Sequence, residues 1–360
     1  MQPDSVSRRI LVVARGQDPI GEGRQLELAV LGLLAAGYDT WLATTTSRGS
    51  VAARVARQGA QVRQVGNRPR PDAAAVARLI GLARELAPAT VLGWGRSQAL
   101  PAAVAAAGSG ARLVSHVGTT PRGLSTGWAL RRAGRVIAAS AAVAVGCERL
   151  GVASRRIATV PPGADAAEAA GLSREAVSAR LGLDPEKLWT LCVAPLGAES
   201  RLERLLWAID QLGVVHRRLE HVLVGAGPWR QRILRRARVQ RLAERLHLYS
   251  HLDCLPDLLR HTRLVWQSGE VACGGAILDG MALGSPAVAV QGDAARQLIV
   301  DGVTGRIVPA EPESEFPRRT LALLEDDRLA EGYATAAAAR AREEFPADRM
   351  VAGVLAAVED

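Results

Sequence analysis

Lysine is almost absent from this sequence: Lys187 is the only one among 45 basic residues, so arginine carries nearly all of the positive charge. Aromatic residues make up only 3% of the chain, which leaves alanine, valine and leucine to fill the core. So few rings argue against a surface that grips sugars or single strands by stacking. The four cysteines, Cys147, Cys192, Cys254 and Cys273, form no CxxC pair and no Cys/His zinc spacing. Most lie in apolar contexts, so reduced core thiols of a cytosolic protein are expected. No apolar run reaches the roughly 18 residues that a membrane-spanning helix needs. The longest, around 28–36 and 100–107, suit buried helices. Residues 1–9 lack the apolar core of a secretory signal. A cytoplasmic location is expected, with peripheral contact at the inner membrane face left open.

What is present points to a folded α/β protein. The 360 residues allow two domains with a sizeable core in each. An apolar fraction of 48% and a charged fraction of 22% are ordinary for a globular chain. The net charge of +9 can attract phosphates, nucleic acid or anionic lipid. An arginine- and alanine-heavy chain is also what a GC-rich genome tends to encode, and that explanation ranks first.

Short β-type runs alternate with helical patterns from Ile10 to Val160. Pro161-Pro162-Gly163 breaks the series, and a second one begins at Trp189 and runs to Val308. Such alternation implies mostly parallel sheets covered by helices on both faces. The expected organisation is an N-terminal Rossmann-like domain over 1–165, a linker over 166–187, a C-terminal Rossmann-like domain over 188–340, and a final helix, 341–360. Residues 315–358 read as helix throughout. A long helix is also expected over 230–246.

In open α/β sheets, ligands bind where strands end and helices begin. Three loops of this kind stand out. Ala14–Gly23 ends in Gly21-Glu22-Gly23 before a helix. Val224-Gly225-Ala226-Gly227-Pro228 follows a strand, but a lone Gly-x-Gly is weak and the proline suits an ordinary first helical position. The third runs from Ser268 through Gly274-Gly275 and Leu278-Asp279-Gly280-Met281-Ala282-Leu283-Gly284-Ser285-Pro286, with Asp301-Gly302-Val303-Thr304-Gly305 beyond it. A simple tight strand-to-helix turn is the plain structural alternative for the first.

In order and spacing these pieces resemble the retaining GT-B glycosyltransferases of family 4, the group 1 family. That family writes the third stretch as Glu-Gly-Phe-Gly, then Leu-Glu-Ala-Met-Ala-x-Gly-x-Pro-Val-Val-Ala, a Gly-Gly turn and Asp-Gly-x-Thr-Gly. The match is strongest over 278–308 and extends back to Val224–Pro228, to the linker Val160–Asp165 and to Gly21–Gly23.

The resemblance implies two Rossmann-like domains facing across a cleft, with the acceptor held by the first and the nucleotide sugar by the second. The final helix returns to the N-terminal domain. Asp279 is then expected to hold ribose, Gly274 and Gly275 the diphosphate, and Glu270 the donor sugar. Arg201 supplies positive charge, Gly225 and Gly227 belong to the donor side, and His251 lies near the base. His116 sits by the reacting centre, and Gly21 and Gly23 form the acceptor or phosphate loop. No metal or cofactor is implied; the nucleotide sugar is a substrate.

Several positions depart from the pattern. Asp279 replaces a glutamate. Val271 stands at the other glutamate position, with Glu270 beside it. In the loop where the family carries Arg and Lys, this chain has Pro195 and Ser200, with Arg201 adjacent. Pro162 replaces the linker asparagine and Gln297 a glutamate. A lost donor to the departing diphosphate typically costs about 2.7–4 kcal/mol of barrier. Two functions therefore compete. One is metal-independent transfer of a hexose to an unknown glycan, lipid or small-molecule acceptor. The other is an inactive GT-B scaffold that binds a nucleotide or a partner protein.

The arginine-dense segment Trp229–Arg245 reads first as a solvated helix face, next as a contact for anionic lipid. Nucleic acid ranks last, because the usual recognition motifs are missing.

Overall fold

The computed structural model describes residues 8–18, 20–46, 49–67, 72–165 and 171–360. The signal-peptide reading of 1–9 and the linker reading of 166–170 therefore fall largely outside the described residues, as does Pro19 of the first glycine loop. The chain divides into two compact units, Met1–Gly163 with Ala347–Asp360, and Ala164–Pro346.

The first unit is built on β1 (Arg9–Ala14), α1 (Glu22–Ala35), β2 (Asp39–Thr44), α2 (Ser50–Arg57), β3 (Gln61–Gln64), α3 (Ala73–Leu86) and β4 (Thr90–Trp94). It continues with α4 (Ala99–Ser109), β5 (Arg112–Val117), α5 (Leu124–Arg132), β6 (Arg135–Ala138), α6 (Ala141–Arg149) and β7 (Ile157–Thr159). The seven strands pair in the order β3-β2-β1-β4-β5-β6-β7, all parallel. Val12 lies opposite Leu92, and Trp94 opposite His116. Ile10–Ala14 is buried along its whole length, as a strand covered by helices on both faces must be.

The second unit holds α7 (Arg174–Leu181), β8 (Leu188–Val193), α8 (Leu202–Val215), β9 (Leu219–Val224), α9 (Arg230–Val239), β10 (Leu246–Tyr249) and α10 (Leu255–His261). It goes on through β11 (Leu264–Gln267), α11 (Ile277–Ala282), β12 (Ala287–Val290), α12 (Asp293–Leu298), β13 (Gly305–Val308), α13 (Glu315–Glu325) and α14 (Asp327–Glu344). Its six strands run β10-β9-β8-β11-β12-β13, again all parallel.

The last helix, α15 (Ala347–Glu359), belongs to the first unit. Small residues admit it: a side-chain carbon on Gly32 would come within 2.3 Å of Val351, and one on Gly353 within 2.8 Å of Val160. Arg112 fastens its end by donating to the carbonyls of Ala357 (2.8 Å) and Val358 (2.6 Å).

Four expectations change. The segment 315–358 is three helices, because the Asp326 carboxylate caps Leu329 N–H at 3.0 Å and Pro346 separates the last two. The helix begun at Arg230 stops at Val239, where Arg241 takes a left-handed φ of 56° and Leu242 N–H closes the turn on Ala237 O. No apolar periodicity in the sequence marks α5, whose first residue Leu124 is exposed. Residues 174–187, expected in a linker, pack within the second unit: Arg174 donates to His261 O (2.8 Å) and covers the Trp189 ring at 3.8 Å.

Candidate active site

In both sheets the strand order reverses direction once, between β1 and β4 and between β8 and β11. The loops leaving these strands flank the crevice where such sheets bind ligands.

In the second unit, the loops 194–201 and 268–276 meet there. The first is folded onto itself and onto its neighbours. Ser200 Oγ donates to Pro195 O at 2.6 Å, and Ser268 Oγ donates to Ser200 O at 2.8 Å. A side-chain carbon on Gly269 would lie 2.3 Å from Glu199 O, so only glycine lets the two loops touch. Gly225 and Gly227 act on the same loop from the other side. Carbons there would fall 2.0 Å from Ala194 O and 2.3 Å from Leu196 O. Leu196 N–H donates to Ala226 O, and Leu196 O accepts from Trp229 N–H. The Gly-x-Gly-Pro segment thus positions the loop through its backbone.

Arg201 begins α8 in a left-handed conformation, φ 47°, a geometry that favours glycine. Its side chain is exposed and has no ion-pair partner among the described residues. Arg204, the next arginine, is buried and engaged by Glu311 (3.1 Å) and Glu313 (3.5 Å).

Gly275 has φ 55° and closes on Val193 O, 3.1 Å from where a side-chain carbon would stand. Gly274, φ 77°, leaves room for Leu298. Asp279 is half-buried in the first turn of α11. Glu270 is exposed and reaches the start of α12, where its Oε1 accepts from Asp293 N–H at 3.0 Å. A side-chain carbon on Gly292 would lie only 2.0 Å from that oxygen. His251 lies past the end of the edge strand β10, exposed and paired with Asp253 at 2.6 Å.

In the first unit, His116 sits near the end of β5, 4% exposed. Its ring stacks on Trp94, with centroids 3.9 Å apart and planes 8° apart. Burial pushes its pKa down to about 3, so the ring is neutral at physiological pH. Its Nδ1 is buried and has no hydrogen-bond partner.

Trp94 Nε1 donates to Glu22 O at 3.2 Å, tying the end of β4 to α1. The Glu22 carboxylate fills the space a side chain at Gly95 would take, 3.1 Å from that position. Burial raises the Glu22 pKa, opposed by Arg15, a hydrogen bond from Gln17 and Arg96. Gly21, φ 54°, and Gly23, packed against Asp18 O, shape the turn.

Glu22, Trp94 and Gly95 escaped the sequence reading. The first stood between two glycines that drew attention for their backbone, and Trp94-Gly95 ends a strand as the other glycine loops do.

Among the described residues, no three His, Cys, Asp or Glu side chains cluster as metal ligands, and no helix is long and apolar enough to cross a membrane.

Comparison with known proteins supplies the family. The solved structure of Anabaena HepE in complex with UDP and glucose superposes with a TM-score of 0.81 over 98% of this chain and 99% of that one, at 17% identity. Sucrose-phosphate synthase from Thermosynechococcus elongatus gives a TM-score of 0.77 over 98% of both chains at 14% identity. A glycosyltransferase from Rickettsia africae gives 0.72 over 97% of each at 15% identity. These similarities establish the GT-B fold of two Rossmann-like domains. No curated protein sequence matches significantly. The family model for glycosyl transferases group 1 matches residues 188–326, and that for glycosyltransferase family 4 matches residues 21–168. With one match on each unit and the fold to go with them, the chain belongs to the group 1 glycosyltransferases of GT-B fold.

Proposed function

We propose that the protein transfers a hexose from a nucleotide-sugar donor to an acceptor hydroxyl, with retention and without a metal ion. The observation that carries this is the junction of Gly269 with the Glu199–Ser200 backbone, which joins the two loops at the sheet reversal beside Arg201 and the Gly274-Gly275 turn. HepE has been solved with UDP and with UDP-glucose, which supports a nucleotide sugar as the donor.

In this reading the donor C1–oxygen bond breaks and the nucleoside diphosphate leaves. The acceptor oxygen bonds to C1 and its proton passes to the leaving phosphate or to solvent. Arg201 offsets the charge that develops on the diphosphate, and the Gly274 and Gly275 amides add donors. Asp279 holds ribose hydroxyls, Glu270 contacts the sugar, and His251 lies near the base. Gly225 and Gly227 serve the donor side by fixing the 194–201 loop. Gly21 and Gly23 serve the acceptor. His116, a neutral ring with a free Nδ1, orients a hydroxyl.

Release of nucleoside diphosphate from a panel of nucleotide sugars, with candidate acceptors and with and without a chelator, tests this proposal. Turnover that survives chelation and falls about 10²–10³-fold in Arg201→Ala fits it. An inverted anomer, read by proton NMR of the product, refutes retention.

A second reading, a scaffold that binds nucleotide without transfer, is favoured by one detail. Ser200, at the position of the family lysine, is buried and spends its hydroxyl on Pro195 O. Nucleotide binding without product from any donor supports it.

A further inference from the structure

The arginine-dense segment plays no part in the proposed reaction, and the structure gives it a setting the sequence did not show. Val214 and Val215 end α8 at 75% and 63% exposure, and Val239 ends α9 at 83%. Arg245 donates to Gly213 O at 2.9 Å and so draws the end of α8 onto the turn that follows α9. The three valines therefore stand at one end of the unit.

Around them Arg217, Arg235, Arg236, Arg238 and Arg241 are exposed and have no ion-pair partner among the described residues. From Gly213 to Leu242 the single acidic residue is Glu220, and it is buried. The contrast within α9 is informative. Arg232, nearer its start, is paired with Glu203 at 2.9 Å and lies over the Trp229 ring.

We infer that this end of the second unit docks on a bilayer surface of anionic lipid, the arginines meeting headgroup phosphates and the valines entering the interface. Guanidinium charge alone fits any polyanion. Three exposed valines add apolar area that a nucleic-acid backbone does not use, and no unoccupied aromatic ring stands among them to stack a base. The patch lies at the end of α8, where β9 starts. It is thus on the edge of the sheet opposite the 194–201 and 268–276 loops, which stay clear of the surface. The inference does not rest on the proposed reaction.

The test is flotation of the full chain with vesicles of phosphatidylcholine alone and of phosphatidylcholine mixed with phosphatidylglycerol. Binding only to the mixed vesicles, weakening as salt rises, is expected. Each arginine reversed among Arg235→Glu, Arg238→Glu and Arg241→Glu should lower partitioning about fivefold or more. V214D/V239D should lower it on the same vesicles at low salt, with the melting temperature unchanged. R122E/R132E, one position just before α5 and one at its last residue, should leave binding intact.

Three results overturn the inference: no binding to mixed vesicles, binding lost in R122E/R132E and not in the Arg235, Arg238 or Arg241 variants, or binding indifferent to the valines. Tighter binding to duplex DNA or RNA than to the vesicles, unaffected by V214D/V239D, reassigns the patch to nucleic acid.

Discussion

The imidazole of His116 lies flat on the indole of Trp94, centroids 3.9 Å apart, with its Nδ1 buried and unpaired. An unpaired buried nitrogen is costly unless a ligand uses it. His116→Ala should lower turnover by about 10²-fold or more while nucleotide affinity holds. Trp94→Leu should weaken it less, through loss of ring orientation. Because His116 titrates near pH 3, the turnover profile between pH 5 and 8 should show no limb that His116→Ala removes. A limb that disappears in this variant would contradict the neutral, orienting role.

Acid stability follows from two buried histidines. His116 and His221 are both pushed down to about 3 by burial, with Arg245 and His247 adding to the effect at His221. The folded state therefore stays unprotonated at these sites while the unfolded chain binds protons below about pH 6.5. The unfolded state holds more protons in that window, so stability falls as pH falls from about 6.5 towards 3. Each histidine contributes a slope of about 1.4 kcal/mol per pH unit. Urea titrations across this range should show the slope, and His221→Asn should reduce it by one histidine's share. An unchanged slope contradicts the assignment.

The glycines at 225 and 227 admit no side chain. Gly225→Ala would place a carbon 2.0 Å from Ala194 O, so the loop must move. A loss of about 1–3 kcal/mol in urea denaturation is expected, together with weaker nucleotide binding. Gly197→Ala, which meets nothing within 4 Å, is the matched control and should be near neutral.

Arg201 combines two opposed demands. Its φ of 47° favours glycine, and its charge is exposed at the loop. Arg201→Gly should stabilise the fold by about 1 kcal/mol and yet weaken nucleotide affinity. Arg201→Ala should weaken affinity without the gain. Thermal melts and calorimetry on the pair separate the effects; affinity unchanged in both would remove Arg201 from the site.

Much of the fold was legible because central strands such as β1 (Arg9–Ala14) and β12 (Ala287–Val290) are apolar runs buried on both faces, which read clearly against helical spacing. The α5 helix was not. Leu124-Ser125-Thr126-Gly127-Trp128 leaves Leu124 94% exposed, so no apolar periodicity marks it. The sequence pattern overstates the helix from Arg230, because the Arg/Leu spacing runs on past Arg241, whose turn is a backbone event.

At the site, the order of motifs over 278–308 was readable along the chain. The reach of Glu270 to Asp293, and of Gly225 to Ala194, joins segments far apart in sequence and needed the fold. Ser200 read as a missing lysine; only the structure shows its hydroxyl committed to Pro195.

The most direct test is calorimetry of the folded wild-type chain with UDP, GDP and ADP in turn, repeated on Gly275→Ala. One nucleotide should bind the wild type and, at 100-fold its Kd, stabilise it by about 2.7 kcal/mol. In Gly275→Ala the affinity should fall. No binding of any of the three to a folded chain, or equal binding in the variant, would contradict a nucleotide site at the 194–201 and 268–276 loops.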